Sequence, residues 1–278
     1  MLQLFHEVCH QCSKLTTKKY STSFSAAIRM LHPDLRTPVY NIYGFVRFAD
    51  EIVDSFHDFD KEELLSRFKK ETYEAIENGI SLNPILHSFQ QTVNHYQIDI
   101  ALVDAFFKSM ESDLHKNVYD QSGYEEYIYG SAEVVGLMCL FVFCDGDKKL
   151  YTELKPYAQS LGAAFQKVNF LRDMKDDYVL LERTYFPNVN MTYFNGDVKK
   201  QIELEIDQDF KTGLAGIKKL PASSKGGVYL AYVYYRALFK KIKKLPAHKI
   251  LNERIRINNG KKLGLMINSL VINKMNLV

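Results

Sequence analysis

Apolar residues recur at helical spacing through most of the chain. Lys61 to Asn78, Pro84 to Tyr96, Ile100 to Lys116 and Tyr151 to Leu181 each gather their apolar positions on one face, the period of an amphipathic helix. Breaks fall near His32-Pro33, Gly79 to Pro84, Gly123, Asp145-Gly146-Asp147, Pro187 to Asp197, Pro221 to Gly227 and Pro246, where glycine and proline disfavour continuation. Alternating strand patterns bounded by hairpin turns are absent, as are internal repeats and low-complexity linkers. The pattern predicts an all-α chain of roughly ten or more helices. Residues 1–278 are expected to fold as a single domain.

Two short acidic stretches interrupt this apolar periodicity: Asp50-Glu51-Ile52-Val53-Asp54 and Asp173-Met174-Lys175-Asp176-Asp177. Each holds carboxylates at i and i+4, on the same helical face one turn apart, where like charges repel. Pro38 to Asp54 is predicted as one helix, with Thr37 as its cap and Pro38 in the first position, where the missing N–H costs nothing. On the other, Asn169, Asp173 and Asp177 share a face that Gln166 extends. A solvent-facing stripe would satisfy such residues. So would Mg²⁺, a hard cation that binds through carboxylates and substrate phosphates. Arg47 precedes Asp50 by one turn and Arg172 adjoins Asp173. Their planar guanidinium forks suit diphosphate oxygens.

With 46% hydrophobic and 25% charged residues, the composition is that of a globular protein with a sizeable core. A net charge of +3 gives no case for nucleic-acid binding. The stretch from Lys240 to Lys274 is locally basic; a solvated helical face is its simplest reading, and an anionic membrane surface is the alternative. The most apolar run, Val134 to Phe143, is shorter than the roughly 18 residues that span a bilayer. The N-terminus lacks the charged start and apolar core of a secretory signal, so a cytoplasmic location is expected, with peripheral contact at the inner membrane surface allowed. Cys9, Cys12, His6 and His10 cluster near the N-terminus, but no second pair follows at zinc-site spacing, and structural roles are expected.

The acidic stretches and their neighbours resemble the squalene and phytoene synthase family. Tyr43 to Asp54 is similar to its first aspartate-rich signature and Gln166 to Asp177 to its second. Glu182-Arg183-Thr184-Tyr185-Phe186-Pro187 resembles the segment that follows. Tyr20-Ser21-Thr22-Ser23-Phe24 resembles the serine-containing flap, and Tyr127 to Gly136 the central tyrosine-to-glycine helix. These motifs keep the family's order from about Tyr20 to beyond Tyr235, and the best overall match is to bacterial phytoene synthases. Two positions depart from the pattern: Glu51 stands where a second aspartate is usual, and Glu133 where many relatives carry a small residue near the cavity.

The resemblance implies a class I isoprenoid synthase-like helical fold around a central cavity. It implies head-to-head condensation of two geranylgeranyl diphosphates to phytoene through a cyclopropylcarbinyl diphosphate. Asp50, Asp54, Asn169, Asp173 and Asp177 would hold Mg²⁺ or Mn²⁺, with Glu51 a weaker candidate. Arg47, Arg172, Arg183, Ser21 and Ser23 would serve the diphosphates. Phe24, Tyr43, Phe45, Tyr129 and Tyr235 are expected to line the cavity, where aromatic faces stabilise cations, and Tyr129 is expected to help remove a proton. Asp113 resembles a further acid near the site. NADPH is not expected. The alternatives are a C30 enzyme using farnesyl diphosphate and a non-catalytic assembly factor. A hydrophobic product further implies handover to a membrane or to a downstream phytoene desaturase.

Overall fold

The computed structural model describes residues 1–115, 118–180, 185–187 and 194–274, with side chains described at all of these except 176–180, 259, 261, 263 and 270–274. Arg183 therefore lies outside the described residues, and Asp177 is described in its backbone alone. Thirteen α-helices and one π-helical turn make up the described chain, which contains no β-strand. The helices are α1 (Leu2–Tyr20), α2 (Thr22–Arg29), α3 (Pro33–Ser55), α4 (Lys61–Asn78), α5 (Pro84–Tyr96), α6 (Ile100–His115) and α7 (Gln121–Ile128). After the π turn (Tyr129–Glu133) come α8 (Val134–Cys144), α9 (Lys148–Leu180), α10 (Gly196–Lys219), α11 (Ala222–Lys243), α12 (Ala247–Ile250) and α13 (Asn259–Lys274).

Local chemistry explains most of these boundaries. Asp60 caps α4 by accepting from the Glu63 N–H at 3.0 Å, and Gly79 ends that helix in the left-handed region (φ 68°). Asn83 caps α5 with Pro84 in the first position. One expected boundary needs correction. The helix bearing the first acidic pair starts at Pro33, not Pro38, which sits one turn inside it. The carbonyl that Pro38 leaves unpaired belongs to Asp34, at the exposed start of the helix, where water can serve it. The break expected near Gly123 lies just before it, between α6 and α7, and the Gly123 N–H is capped by Asp120 at 2.7 Å in the first turn of α7.

Around α3, α5 and α6 the core is an aromatic block, with Phe45 stacked on Phe89 at 3.8 Å between ring centres and Phe68, Phe106 and Phe107 against it. Burying each such side chain contributes about 1.5–3 kcal/mol. A second apolar cluster joins α7, α9, α10 and α11 through Phe170, Phe210 and Phe239. The π turn is clamped between α6 and α9. A Cβ on Gly130 would lie 2.4 Å from the Ala105 carbonyl oxygen, and one on Gly162 2.9 Å from the Glu133 Cα. The continuous run Gln121–Cys144 is long and apolar enough to cross a membrane, longer than the sequence suggested, but α8 packs against α3, α6 and α9 and buries Val134, Leu137, Met138, Leu140 and Val142. At the N-terminus, a polar seam fixes α1 to α3 and α5. His6 meets His87 at 2.7 Å, His10 meets Asn41, and Ser13 meets Ser88 at 2.7 Å. Cys9 and Cys12 are free thiols beside this seam.

Candidate active site

Between α2, α3, α8, α9 and α11 lies a cavity of about 1420 Å³. Helical phase decides which side chains enter it. On α3 the lining residues are Val39, Ile42, Tyr43, Val46, Arg47, Asp50, Val53 and Asp54, one face of the helix. On α9, Leu161, Phe165, Gln166, Asn169, Arg172 and Asp173 form the facing stripe. Asp177 is the next position in that phase. Both acidic segments thus meet at one end of one cavity, with Ser21 and Ser23 beside them from the start of α2.

Asp50 is a strongly perturbed carboxyl at this end. Burial pushes it up to about 7, and the neighbouring charges of Asp54 and Asp113 add to the rise, while Arg47 opposes it. Its side chain keeps 31% of its surface open, but the opening faces the cavity. Arg47 reaches Asp50 at 3.8 Å, pairs with Glu51, and lies over the Tyr20 ring at 4.5 Å. Its Nε is buried without a hydrogen-bond partner, an orphan donor beside the acids. On α9, Arg172 donates from Nε to both oxygens of Asp173 at 3.0 and 2.9 Å, and Arg254 reaches the same carboxylate at 2.7 Å. A polar chain completes this wall. Tyr235 donates to Asn169 Oδ1 at 3.2 Å, Asn169 donates to Gln166, and Gln166 to Ser131.

The donor set fits Mg²⁺ or Mn²⁺. Asp50, Asp54, Asn169 and Asp173 offer hard oxygens, and the crowded negative charge at Asp50 calls for a cation. Among the described residues no group of three or more His, Cys, Asp or Glu side chains is placed to hold a metal by itself. Mg²⁺ does not need one, since it binds through one or two carboxylates, waters and substrate phosphates.

Beyond the charged end the walls become aromatic and then aliphatic. Phe165 stacks on Tyr235 at 4.0 Å, and Phe24 packs on Tyr43 and Tyr235 at 5.9 Å each. Burial raises the Tyr43 hydroxyl to about 12 despite Arg47 nearby, so it stays protonated, in hydrogen-bond contact with Ser21. Ser21 also caps α2, accepting from the Phe24 N–H at 3.2 Å. Leu31, Ile42, Val135, Cys139, Leu140 and Phe143 line the aliphatic part.

Four expected residues are not brought to the cavity. Phe45 and Glu51 lie on other faces of α3, Phe45 in the aromatic core and Glu51 in a shallow groove behind Arg47. Tyr129 and Glu133 likewise point away. The Tyr129 hydroxyl is raised by burial and by Glu133 and Asp99, and Glu133 accepts from Gln159 at 2.9 Å. Tyr127 enters instead, donating to the buried Asp113 at 2.6 Å, with Tyr119 on the other Asp113 oxygen at 3.4 Å. Arg254, Arg256 and Lys262 also line the cavity and were missed, since they lie in a basic stretch without a motif.

A sequence model of the squalene/phytoene synthase family matches residues 17–261. The 4,4'-diapophytoene synthase of Staphylococcus haemolyticus is 25% identical over 275 residues, covering 92% of this chain and 93% of its own. Phytoene synthase 1, chloroplastic, of Solanum lycopersicum is 25% identical over 284 residues, covering 94% and 67%. Among solved structures, a dehydrosqualene synthase superposes with a TM-score of 0.83 at 20% identity over 97% of this chain and 98% of its own. A squalene synthase from Alicyclobacillus acidocaldarius gives 0.74 at 20% identity, over 87% and 94%. At such identities the structural likeness speaks for the fold, and the family match for kinship. The chain belongs to the squalene/phytoene synthase family, synthases that join prenyl diphosphates head to head, and it has the helical isoprenoid synthase-like fold.

Proposed function

We propose that this chain, acting as one domain, condenses two geranylgeranyl diphosphates head to head into phytoene, through a cyclopropylcarbinyl diphosphate, in carotenoid biosynthesis. The observation that carries the reading is one cavity with two acidic helices at one end and an apolar body beyond. Its volume of about 1420 Å³ exceeds the roughly 300–1,000 Å³ that suits one drug-sized ligand, as two prenyl chains require. Gly216 and Gly227 line its apolar part where a Cβ would meet Tyr157 and Leu31, so they let the cavity walls pack closely.

Asp50 and Asp54 of α3 with Asn169, Asp173 and Asp177 of α9 would hold Mg²⁺ or Mn²⁺. When bound, the metal supplies Lewis-acid pull on the departing diphosphates. Arg47 and Arg172 orient those diphosphates through paired hydrogen bonds, with Ser21 and Ser23 beside them and Arg183 in the same role. As the first carbon–oxygen bond breaks, Phe24, Tyr43, Phe165 and Tyr235 offer ring faces to the allylic cation, each contributing about 0.5–2 kcal/mol. The apolar walls keep water from quenching it. The second substrate's double bond attacks and a proton is lost as the cyclopropane closes; after the second diphosphate leaves and the cation rearranges, a second proton must be lost. Tyr127 is placed for that step: its phenol oxygen takes the proton as its own hydrogen passes along the hydrogen bond to Asp113. Loss of a proton as the final step makes no demand for NADPH. The hydrocarbon product then passes to a membrane or a downstream desaturase, which suits a cytoplasmic enzyme working at the inner membrane surface.

A second reading, two farnesyl diphosphates giving a C30 product, is favoured by the likeness to 4,4'-diapophytoene synthase. Incubating purified protein with each diphosphate and Mg²⁺, with and without NADPH, separates the two. Phytoene from geranylgeranyl diphosphate without NADPH is the expected result, and a C30 product alone would overturn the assignment. A non-catalytic assembly role predicts that neither diphosphate is turned over; the expected result is turnover that Asp50→Ala removes.

A further inference from the structure

The segment after α12 crosses the charged end of the cavity as an extended strap. Ile255 anchors it, 2% exposed within the second apolar cluster, with its N–H on the Arg172 carbonyl at 3.4 Å. Lys241 of α11 holds the Arg256 carbonyl at 2.7 Å. At its far end, Lys262 in the first turn of α13 donates to Thr22 of α2 at 3.0 Å, close to Ser21 and Ser23. The strap thus bridges the helix of the second acidic pair and the serine-bearing start of α2. It carries Arg254, Arg256 and Lys262 along one wall of the cavity.

Arg254 stands apart among the three, because its Nε lies 2.7 Å from Asp173 Oδ1. Asp173 offers the oxygens proposed for the metal, and Arg172 already engages both of them. Arg172 and Arg254 between them place two N–H groups on each Asp173 oxygen, which fills the roughly four acceptor positions of a carboxylate, so a divalent cation on Asp173 must displace one of them. Arg254 is 42% exposed, so its side chain has room to leave. Burial first, and then the charges of Arg172 and Arg256, hold Lys262 below the ordinary lysine value.

We propose that Arg254 is a stand-in cation on Asp173, and that metal binding displaces it and releases the strap between Arg254 and Lys262 from the helix of the second acidic pair. Arg254 is on this account a positioning residue that acts through Asp173. The inference rests on the metal reading of Asp173 given above.

Mn²⁺ titration by calorimetry and electron paramagnetic resonance tests it on the full chain, comparing wild type, Arg254→Gln, Arg254→Lys and Lys262→Gln. Removing a unit charge in contact with the metal-binding carboxylate is expected to tighten Mn²⁺ binding about tenfold. Arg254→Lys should keep wild-type affinity, and Lys262→Gln should move it by much less. Hydrogen exchange over residues 251–258 should rise in wild type when Mn²⁺ is added and be raised already in metal-free Arg254→Gln. Equal tightening in Arg254→Gln and Lys262→Gln, or exchange over 251–258 indifferent to Mn²⁺, overturns the displacement while leaving the metal site standing. Failure of every form to bind Mn²⁺ overturns both.

Discussion

Replacing Tyr127 by Phe, in parallel with Tyr129 by Phe, tests which hydroxyl serves the chemistry. Tyr127 donates a 2.6 Å hydrogen bond to Asp113, and both residues are buried, each 6% exposed. Removing a hydrogen bond to a buried carboxylate costs about 1.5–3 kcal/mol. At about 2.1 cal/mol/K per residue of unfolding entropy, that lowers Tm by roughly 3–5 °C for a chain of this length. Tyr119 still reaches the other Asp113 oxygen, so the fold should survive. Loss of a group that moves a proton lowers turnover by about 10²-fold or more. Tyr129 keeps its ring against the core in Tyr129→Phe, so Tm should move by less than about 0.5 kcal/mol equivalent and turnover by less than twofold. Thermal melts and product formation from labelled prenyl diphosphate with Mg²⁺ give both readouts. Equal loss of turnover in the two variants, or full turnover in Tyr127→Phe, would refute the assignment.

Chelation with EDTA should abolish turnover and Mg²⁺ or Mn²⁺ restore it, followed by product chromatography. Asp50→Asn should remove turnover yet raise stability by about 0.5–2 kcal/mol in the metal-free protein, because it relieves the repulsion from Asp54 and Asp113; calorimetric melts check the sign. Cys139→Phe should cut use of geranylgeranyl diphosphate about tenfold against farnesyl diphosphate, since overfilling a packed apolar wall costs roughly 1–3 kcal/mol, and competition between the two substrates measures it. Burial holds His10 and His87 below the ordinary histidine value. The unfolded chain therefore binds protons that the folded one refuses, so stability is full above about pH 6.5 and falls as pH drops. Melts from pH 7.5 to 5.5 should show this slope flattened in His87→Gln.

The helices were legible because their apolar stripes and their glycine and proline breaks are strong local signals. Lys61–Asn78 and Pro84–Tyr96 match their expected ends, and α9 starts one turn before its expected start. The start of α3 was misplaced because two prolines, Pro33 and Pro38, both suit a first turn, and only packing chooses between them. Asp50, Asp54, Arg47, Asn169 and Asp173 could be seen because each set shares one helical face. What no local pattern carried was the meeting of distant segments. The strap bearing Arg254 and Lys262 reaches Asp173 and Thr22 across long stretches of chain, and its lysines and arginines look like any solvated basic surface.

Tyr129 and Phe45 show where motif order and helical phase part. In a helix each residue turns about 100° from the last, so positions two apart face nearly opposite sides. Cavity residues on the central run are Tyr127, Ser131, Ala132, Val135, Gly136, Cys139, Leu140 and Phe143, a single stripe in steps of three and four. The π turn at Tyr129–Glu133 lies within that stripe. Tyr129, two residues from Tyr127, falls on the far side. The same arithmetic on α3 separates Phe45 from Tyr43, sending Phe45 to the core, and separates Glu51 from Asp50. The π turn is held by glycine contacts that no other residue could make: a Cβ at Gly130 would meet the α6 backbone and one at Gly162 the turn itself. Core packing on one side of the run therefore sets the register that aims Tyr127 and Ser131 into the cavity on the other.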